Sequence, residues 1–193
     1  MFFKKYKPID YWTKRGRKYK DDFVHDEFFQ IQENTLVDYL KTIQFESVLE
    51  YGCGFGRITK LLLDNFDLKK YKAFDLSEEQ INNAKKICSN HAVEFQVSTI
   101  QDYDDNQKYD LIIGVEILMH ILPTEIRNVL EKLSHFTKNH MINIDFYENP
   151  HVTKLAKHNF LHEYGLIYED LSNGKNNHKI KINEKQSIFH AQF

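Results

Sequence analysis

Cysteine is scarce in this chain, which holds only Cys53 and Cys88 in 193 residues. One lies in a glycine-rich turn and the other in a predicted helix, so neither a disulfide framework nor a CxxC metal pair is suggested. Long apolar runs are missing as well. The longest, Leu111 to Leu122, contains Glu116 and His120 and falls short of the ~20 residues a membrane span needs. The opening Met1-Phe-Phe-Lys-Lys lacks the apolar core of a signal peptide. Net charge is only −2, which argues against a polyanion binder, and neither an internal repeat nor a low-complexity linker occurs. These absences leave a reduced, cytoplasmic, soluble chain of one domain, long enough for a sheet core with helices on its faces. The charge is unevenly placed, however: Lys4, Lys5, Lys7, Lys14, Arg15, Arg17, Lys18 and Lys20 stand against the single acid Asp10 in the first twenty residues.

Ile9, Trp12, Gly16, Tyr19 and Phe23 recur at spacings of 3, 4, 3 and 4, the stripe of a helix. Gly16 in that stripe permits close approach to whatever lies beneath. A second helix is predicted over 26–43, so residues 1–43 read as a helical cap and 44–193 as the core. Core strands are predicted at 46–50, 71–75, 93–97, 109–113 and 141–146, with helices over 55–66 and from Ser77 to about Asn90. Ser77-Glu-Glu-Gln80 reads as a capping box, with Gln80 reaching back. Pro123 suits the first turn of a helix carrying Ile126, Leu130 and Leu133. After a less regular stretch from Asn149-Pro150, Leu161, Tyr164, Tyr168 and Leu171 mark a further helix, followed by closing strands at 179–183 and 186–193. The alternation indicates a doubly wound α/β sheet, with ligands bound beyond the strand carboxyl ends.

The stretch Val48-Leu-Glu50-Tyr-Gly52-Cys-Gly54-Phe-Gly56-Arg57 ends one such strand, turns on three alternating glycines and opens a helix. Glycines let the backbone approach a ligand closely, and the helix N–H groups point at it. The dinucleotide pattern G-x-G-x-x-G fails, because its third glycine would fall at Arg57. The phosphate-binding G-x-x-x-x-G-K-S/T fails too. Glu50 ahead of the glycines suits a ligand with an amino group rather than a pyrophosphate. Asp75 closes the second strand 19 residues past Gly56, where a carboxylate can accept from a ribose diol.

These residues, with Phe74-Asp-Leu-Ser77 and Tyr109-Asp-Leu-Ile-Ile-Gly-Val115, resemble the class I (Rossmann-like) S-adenosylmethionine-dependent methyltransferases over roughly residues 45–147. The resemblance implies a doubly wound, mostly parallel seven-stranded sheet with an antiparallel C-terminal strand and an N-terminal helical cap. It also implies S-adenosyl-L-methionine as cofactor. Gly52, Gly54 and Gly56 would approach its methionine part. Asp75 would hold the ribose, Leu76 the adenine face, Thr99 and Ile100 the adenine amine. Val115, Glu116 and His120 would border methionine and substrate, and Tyr11 or Arg15 of the cap would meet the cofactor carboxylate.

Methyl transfer needs positioning more than an obligatory side chain, since positioning alone can supply roughly 7–11 kcal/mol. Candidate bases are Glu116, His120, Asp145, Tyr147, His151, His158, His162 and Glu163, among which His120, His162 and Glu116 are the preferred catalytic residues. His158 and His162 at helical spacing could instead join Asp145 around a metal; ordinary hydrogen-bonded histidines are commoner, and no metal is expected. Without N/D-P-P-Y/F after the fourth strand, adenine-N6 chemistry is disfavoured, and no cysteine is placed for cytosine-C5 attack. The expected reaction is methyl transfer to an oxygen or nitrogen of a small molecule. The alternatives are an RNA or protein substrate met by the basic N-terminal segment, or a regulatory protein that binds the cofactor without turnover.

Overall fold

The computed structural model describes residues 6–147, 155–174 and 177–193; His151 and Asn149-Pro150 lie outside them, as do Lys4 and Lys5. Two helices come first, α1 (Pro8–Asp22) and α2 (Glu27–Leu40). Asp26 caps α2 by accepting from the Phe29 N–H at 3.3 Å. Then follow β1 (Ser47–Tyr51), α3 (Arg57–Asn65), β2 (Lys70–Asp75), α4 (Glu78–Ile87), β3 (Glu94–Val97) and β4 (Tyr109–Val115). A 3-10 turn at Leu118–His120 leads to α5 (Ile126–Ser134), β5 (Thr137–Phe146), α6 (Tyr164–Leu171), β6 (Asn177–Lys181) and β7 (Gln186–Gln192).

The strands form one seven-stranded sheet in the order β3-β2-β1-β4-β5-β7-β6. Pairing is parallel from β3 to β5, and β7 runs antiparallel to both neighbours. Alternate residues of each strand feed two cores. Val48, Ala73 and Ile113 pack with Leu36, Leu62 and Ile81 of α2, α3 and α4. Leu49, Ile112 and Met141 pack with Leu130, Leu133 and Tyr168 of α5 and α6. Burial on both faces explains why β4 is nearly continuously apolar. The chain winds outward from β1 to β3 and then returns to β4 beside β1, which opens a crevice at the carboxyl ends of those two strands.

Three local expectations need correction. Ser77 caps α4 through the Gln80 N–H, but the Gln80 side chain does not reach back; its Nε2 donates to the Gly16 carbonyl of α1. The helix after Pro123 begins at Ile126, the proline lying in the preceding turn. His158 and His162 are not helical. Their segment spends its polar groups on the 118–120 turn instead: the Phe160 N–H donates to the Met119 carbonyl at 2.7 Å, and a His162 ring nitrogen donates to the Leu118 carbonyl at 3.1 Å. The metal arrangement built on helical spacing therefore has no basis in the local fold.

Candidate active site

A cavity of about 1040 Å³ lies over the carboxyl ends of β1, β2 and β4, with α1 as its roof. Its floor is the glycine turn, held by the Cys53 N–H to the Phe74 carbonyl at 3.1 Å and the Gly56 N–H to the Cys53 carbonyl at 3.0 Å. Gly54 adopts φ +55°, and the place where its Cβ would stand is open for 4 Å. Gly52, at φ +67°, has Ile117 within 2.5 Å of that place, so any side chain there would displace the loop after β4.

Two buried acids flank the turn. Asp75 Oδ2 accepts from the Gly54 N–H at 2.9 Å, and Oδ1 accepts from the Ser77 N–H at 2.8 Å. Burial raises its pKa, against the pull of those two N–H groups. Glu50 Oε2 accepts from the Thr59 hydroxyl at 2.5 Å and the Tyr71 hydroxyl at 2.8 Å. Burial pushes this carboxyl up to about 7. Both acids line the cavity, as do Leu76, Thr99, Ile100 and Val115. The Thr99 hydroxyl is engaged locally, donating to Asp102 at 2.7 Å and accepting the Asp102 N–H at 3.0 Å.

The roof packs by aromatic contact. The Tyr11 ring stacks on His158 at 4.7 Å, and Trp12 lies 4.3 Å from His120. The carbonyl beneath Gly16 and the α4 N-terminus meet directly: a Cβ on Gly16 would stand 2.5 Å from the Ser77 hydroxyl. Arg15 lines the cavity but pairs with Asp22 at 2.5 Å and lies 5.3 Å from the Tyr19 ring centre. Arg15→Ala is expected to raise the cofactor dissociation constant severalfold in a calorimetric titration. An unchanged value would remove Arg15 from the site.

His120 is buried, and its Nδ1 lies 3.1 Å from the His158 carbonyl. A carbonyl only accepts, so the ring proton is on Nδ1. Burial lowers the pKa to about 4, leaving a neutral ring with Nε2 unprotonated. Glu116 has the left-handed φ of +60°, an uncommon conformation for a non-glycine residue and one enriched at functional sites. Its carboxylate accepts from Gln186 Nε2 at 2.6 Å; burial raises its pKa while Arg57 opposes the rise.

His162 does not join these groups. It lines a separate cavity of about 520 Å³ with Glu163 and Tyr147, so the sequence expectation of a catalytic His162 is corrected. Asp145 is fully buried, accepts from the Met119 N–H at 3.1 Å and from Asn143 Nδ2 at 2.7 Å, and serves the 118–120 turn rather than substrate.

Arg57, to which no sequence motif assigns a role, also lines the cavity. It donates to Glu33 at 2.7 Å and Gln32 at 2.9 Å on α2, with Phe29 4.9 Å from its guanidinium. Gln32 in turn donates to Gln186 at 2.9 Å, which completes a polar chain from α2 to Glu116. The signal was a cation in the first turn of a helix, where the macrodipole disfavours it.

A family model described as a methyltransferase domain matches residues 48–140. A malonyl-[acyl-carrier protein] O-methyltransferase of Acetivibrio thermocellus is 35% identical over 95 residues, which cover 47% of this chain and 34% of that protein. The match thus spans about a third of the length of that curated relative. Among solved structures, the N-methyltransferase NodS of Bradyrhizobium japonicum superposes with a TM-score of 0.76 at 14% identity, covering 96% of this chain and 98% of NodS. Magnesium protoporphyrin IX methyltransferase of Synechocystis gives 0.73 at 14% identity, covering 95% and 96%. Both were crystallised with S-adenosylhomocysteine. The chain's glycine turn and strand order agree with the fold of these structures, and over residues 48–140 the chain is similar to the Rossmann-like, S-adenosylmethionine-dependent methyltransferases.

Proposed function

We propose that the whole chain, cap 1–43 and core 44–193, works as one cytoplasmic methyltransferase domain that moves a methyl group from S-adenosyl-L-methionine to an oxygen or nitrogen of a small molecule. The observation that carries this reading is the meeting of Asp75, the open turn at Gly54 and the neutral His120 in one cavity. The residues present suit the cofactor. Gly54 leaves room for its methionine part. Each Asp75 oxygen accepts a single N–H and so keeps a lone pair for a ribose hydroxyl. Glu50 Oε1 takes no hydrogen bond among the described residues, which suits an ammonium. When bound, the cofactor supplies the electrophilic methyl group.

The chain's own work is to align the acceptor, exclude water and take a proton. The aromatic roof of Tyr11, Trp12 and His158 performs the second task, and alignment accounts for most of the expected rate. His120 Nε2 takes the proton of an acceptor O–H or N–H. His120→Gln is expected to lower kcat about 100-fold or more while leaving cofactor affinity within a factor of about two. Because this ring titrates near 4, kcat/KM of the parent protein should show no inflection near 6.5 from it. Such an inflection, lost in His120→Gln, would contradict the assigned protonation state.

A second reading has one observation behind it. Lys14, Arg17 and Lys18 are exposed on α1 beside the cavity, a basic face that could meet a substrate carried on an acidic macromolecule. Incubation with methyl-labelled cofactor and fractionated extract separates the two readings. Label in the small-molecule fraction is expected; label confined to protein or RNA would favour the second, and absence of turnover would overturn both.

A further inference from the structure

Glu116 follows β4 and lines the cavity, with amide donors around its carboxylate but no cation of its own among the described residues. Its backbone N–H donates to the Ile144 carbonyl at 2.7 Å, which anchors the residue at its φ of +60°. Strand order puts β5 between β4 and β7. The side chain therefore reaches across the end of β5 to meet Gln186 Nε2 at 2.6 Å. The direction of this polar chain is fixed by its two ends. Arg57 can only donate and an ionised Glu116 can only accept. Gln32 thus turns its oxygen to Arg57 and its nitrogen to Gln186, and Gln186 turns its nitrogen to Glu116. The whole chain aims one carboxylate. Arg57 favours the charged form of Glu116 from a distance, but pairs with Glu33 at 2.7 Å. Arg15 pairs with Asp22 at 2.5 Å.

We infer that the methyl acceptor is an amine-bearing small molecule whose ammonium group pairs with Glu116, the residue that selects it over neutral and anionic analogues. The inference rests on the methyl-donor reading above and narrows its substrate. A carboxylate in a partly desolvated cavity is costly until a cation meets it. Tyr19, Phe29 and Phe55 line the same cavity, with the Tyr19 and Phe55 ring centres 6.2 Å apart. The Glu116 charge acts on the Tyr19 hydroxyl and raises its pKa, which puts that ring on the Glu116 side. Aromatic faces beside a carboxylate attract a cation and disfavour an anion. There is also room for a second molecule beside the donor. The cavity measures about 1040 Å³, at the top of the ~300–1,000 Å³ range for pockets that hold one small ligand. An ammonium has no lone pair, so it serves as a handle only. The methyl group goes to another oxygen or nitrogen of the same molecule, on the His120 side.

The test uses protein saturated with S-adenosylhomocysteine and three probes of similar shape at neutral pH: benzylammonium, benzyl alcohol and benzoate. By calorimetry, the parent protein is expected to bind benzylammonium about tenfold or more tightly than either of the others. Glu116→Gln keeps the volume and an acceptor for Gln186 but removes the charge. It is expected to retain S-adenosylhomocysteine binding and to lose the preference for benzylammonium. Glu116→Asn, a residue at home at positive φ, repeats the comparison with less backbone strain and should give the same loss. Equal binding of the three probes by the parent overturns the inference, and so does a preference that survives both substitutions. Loss of S-adenosylhomocysteine binding in both variants would assign the carboxylate to the donor and overturn it as well. A parent protein that binds no S-adenosylhomocysteine overturns the methyl-donor reading instead, so the two failures are distinct.

Discussion

Asp75→Ala is expected to weaken binding of S-adenosylhomocysteine by at least two orders of magnitude, measured by calorimetry at neutral pH. The carboxylate does two things at once. It braces the floor, since Oδ2 takes the Gly54 N–H and Oδ1 takes the Ser77 N–H. In the proposed cofactor pose its remaining lone pairs would also accept from the ribose. Hydrogen bonds to a charged group contribute about 1.5–3 kcal/mol each, so losing two to the ribose corresponds to roughly 100-fold or more. Losing the brace adds to this, because the Gly54 N–H then has no acceptor on Asp75. Asp75→Asn retains the shape with less charge and should fall between. An alanine variant that binds as tightly as the parent would move the nucleoside elsewhere in the cavity.

The second large effect is on stability rather than binding. Burial pushes the Asp145 carboxyl from its ordinary 3.8 to about 8. The folded state therefore holds this proton more tightly than the unfolded chain does. The associated stability is fully present below about pH 4 and is lost as pH rises toward 8. Carrying one acid over that interval caps the loss at roughly 6 kcal/mol. Glu50, raised by burial to about 7, contributes in the same direction. In Asp145→Asn the group no longer titrates. The amide still accepts from the Met119 N–H, while the Asn143 amide and Tyr168 hydroxyl, joined at 2.6 Å, can reverse their roles. Urea unfolding from pH 5 to 8 should thus show a steep decline in the parent and a visibly flatter one in Asp145→Asn. Parallel profiles would mean that Asp145 is ionised in the folded protein.

The parts of this molecule that could be read from sequence are those whose physics is local. Glycines at 52, 54 and 56 need positive φ within a few residues of one another, and the structure gives them +67°, +55° and +89°. Asp75 follows from strand length, and the Gly16 approach from a helical stripe with one residue too small. What escaped is held by partners far apart in the chain. Glu116 is fixed by Gln186, and Gln186 by Gln32, 154 positions distant. Neither glutamine has a local pattern to mark it. The segment holding His158 and His162 has helical spacing, but its hydrogen bonds go to the 118–120 turn, and no periodicity records that choice. Arg15 finds Asp22 on its own helix, a pairing that composition alone does not distinguish from a ligand contact.

The central claim is that this cavity, through Asp75 and the glycine turn, holds the methyl donor beside His120. Its most direct test is a crystal structure of the protein with S-adenosylhomocysteine. The expected result is ribose hydroxyls within hydrogen-bond distance of Asp75, the amino-acid end over Gly54 and the sulfur facing the His120 side of the cavity. Ligand density in any other place, or a ribose with no contact to Asp75, would contradict the account.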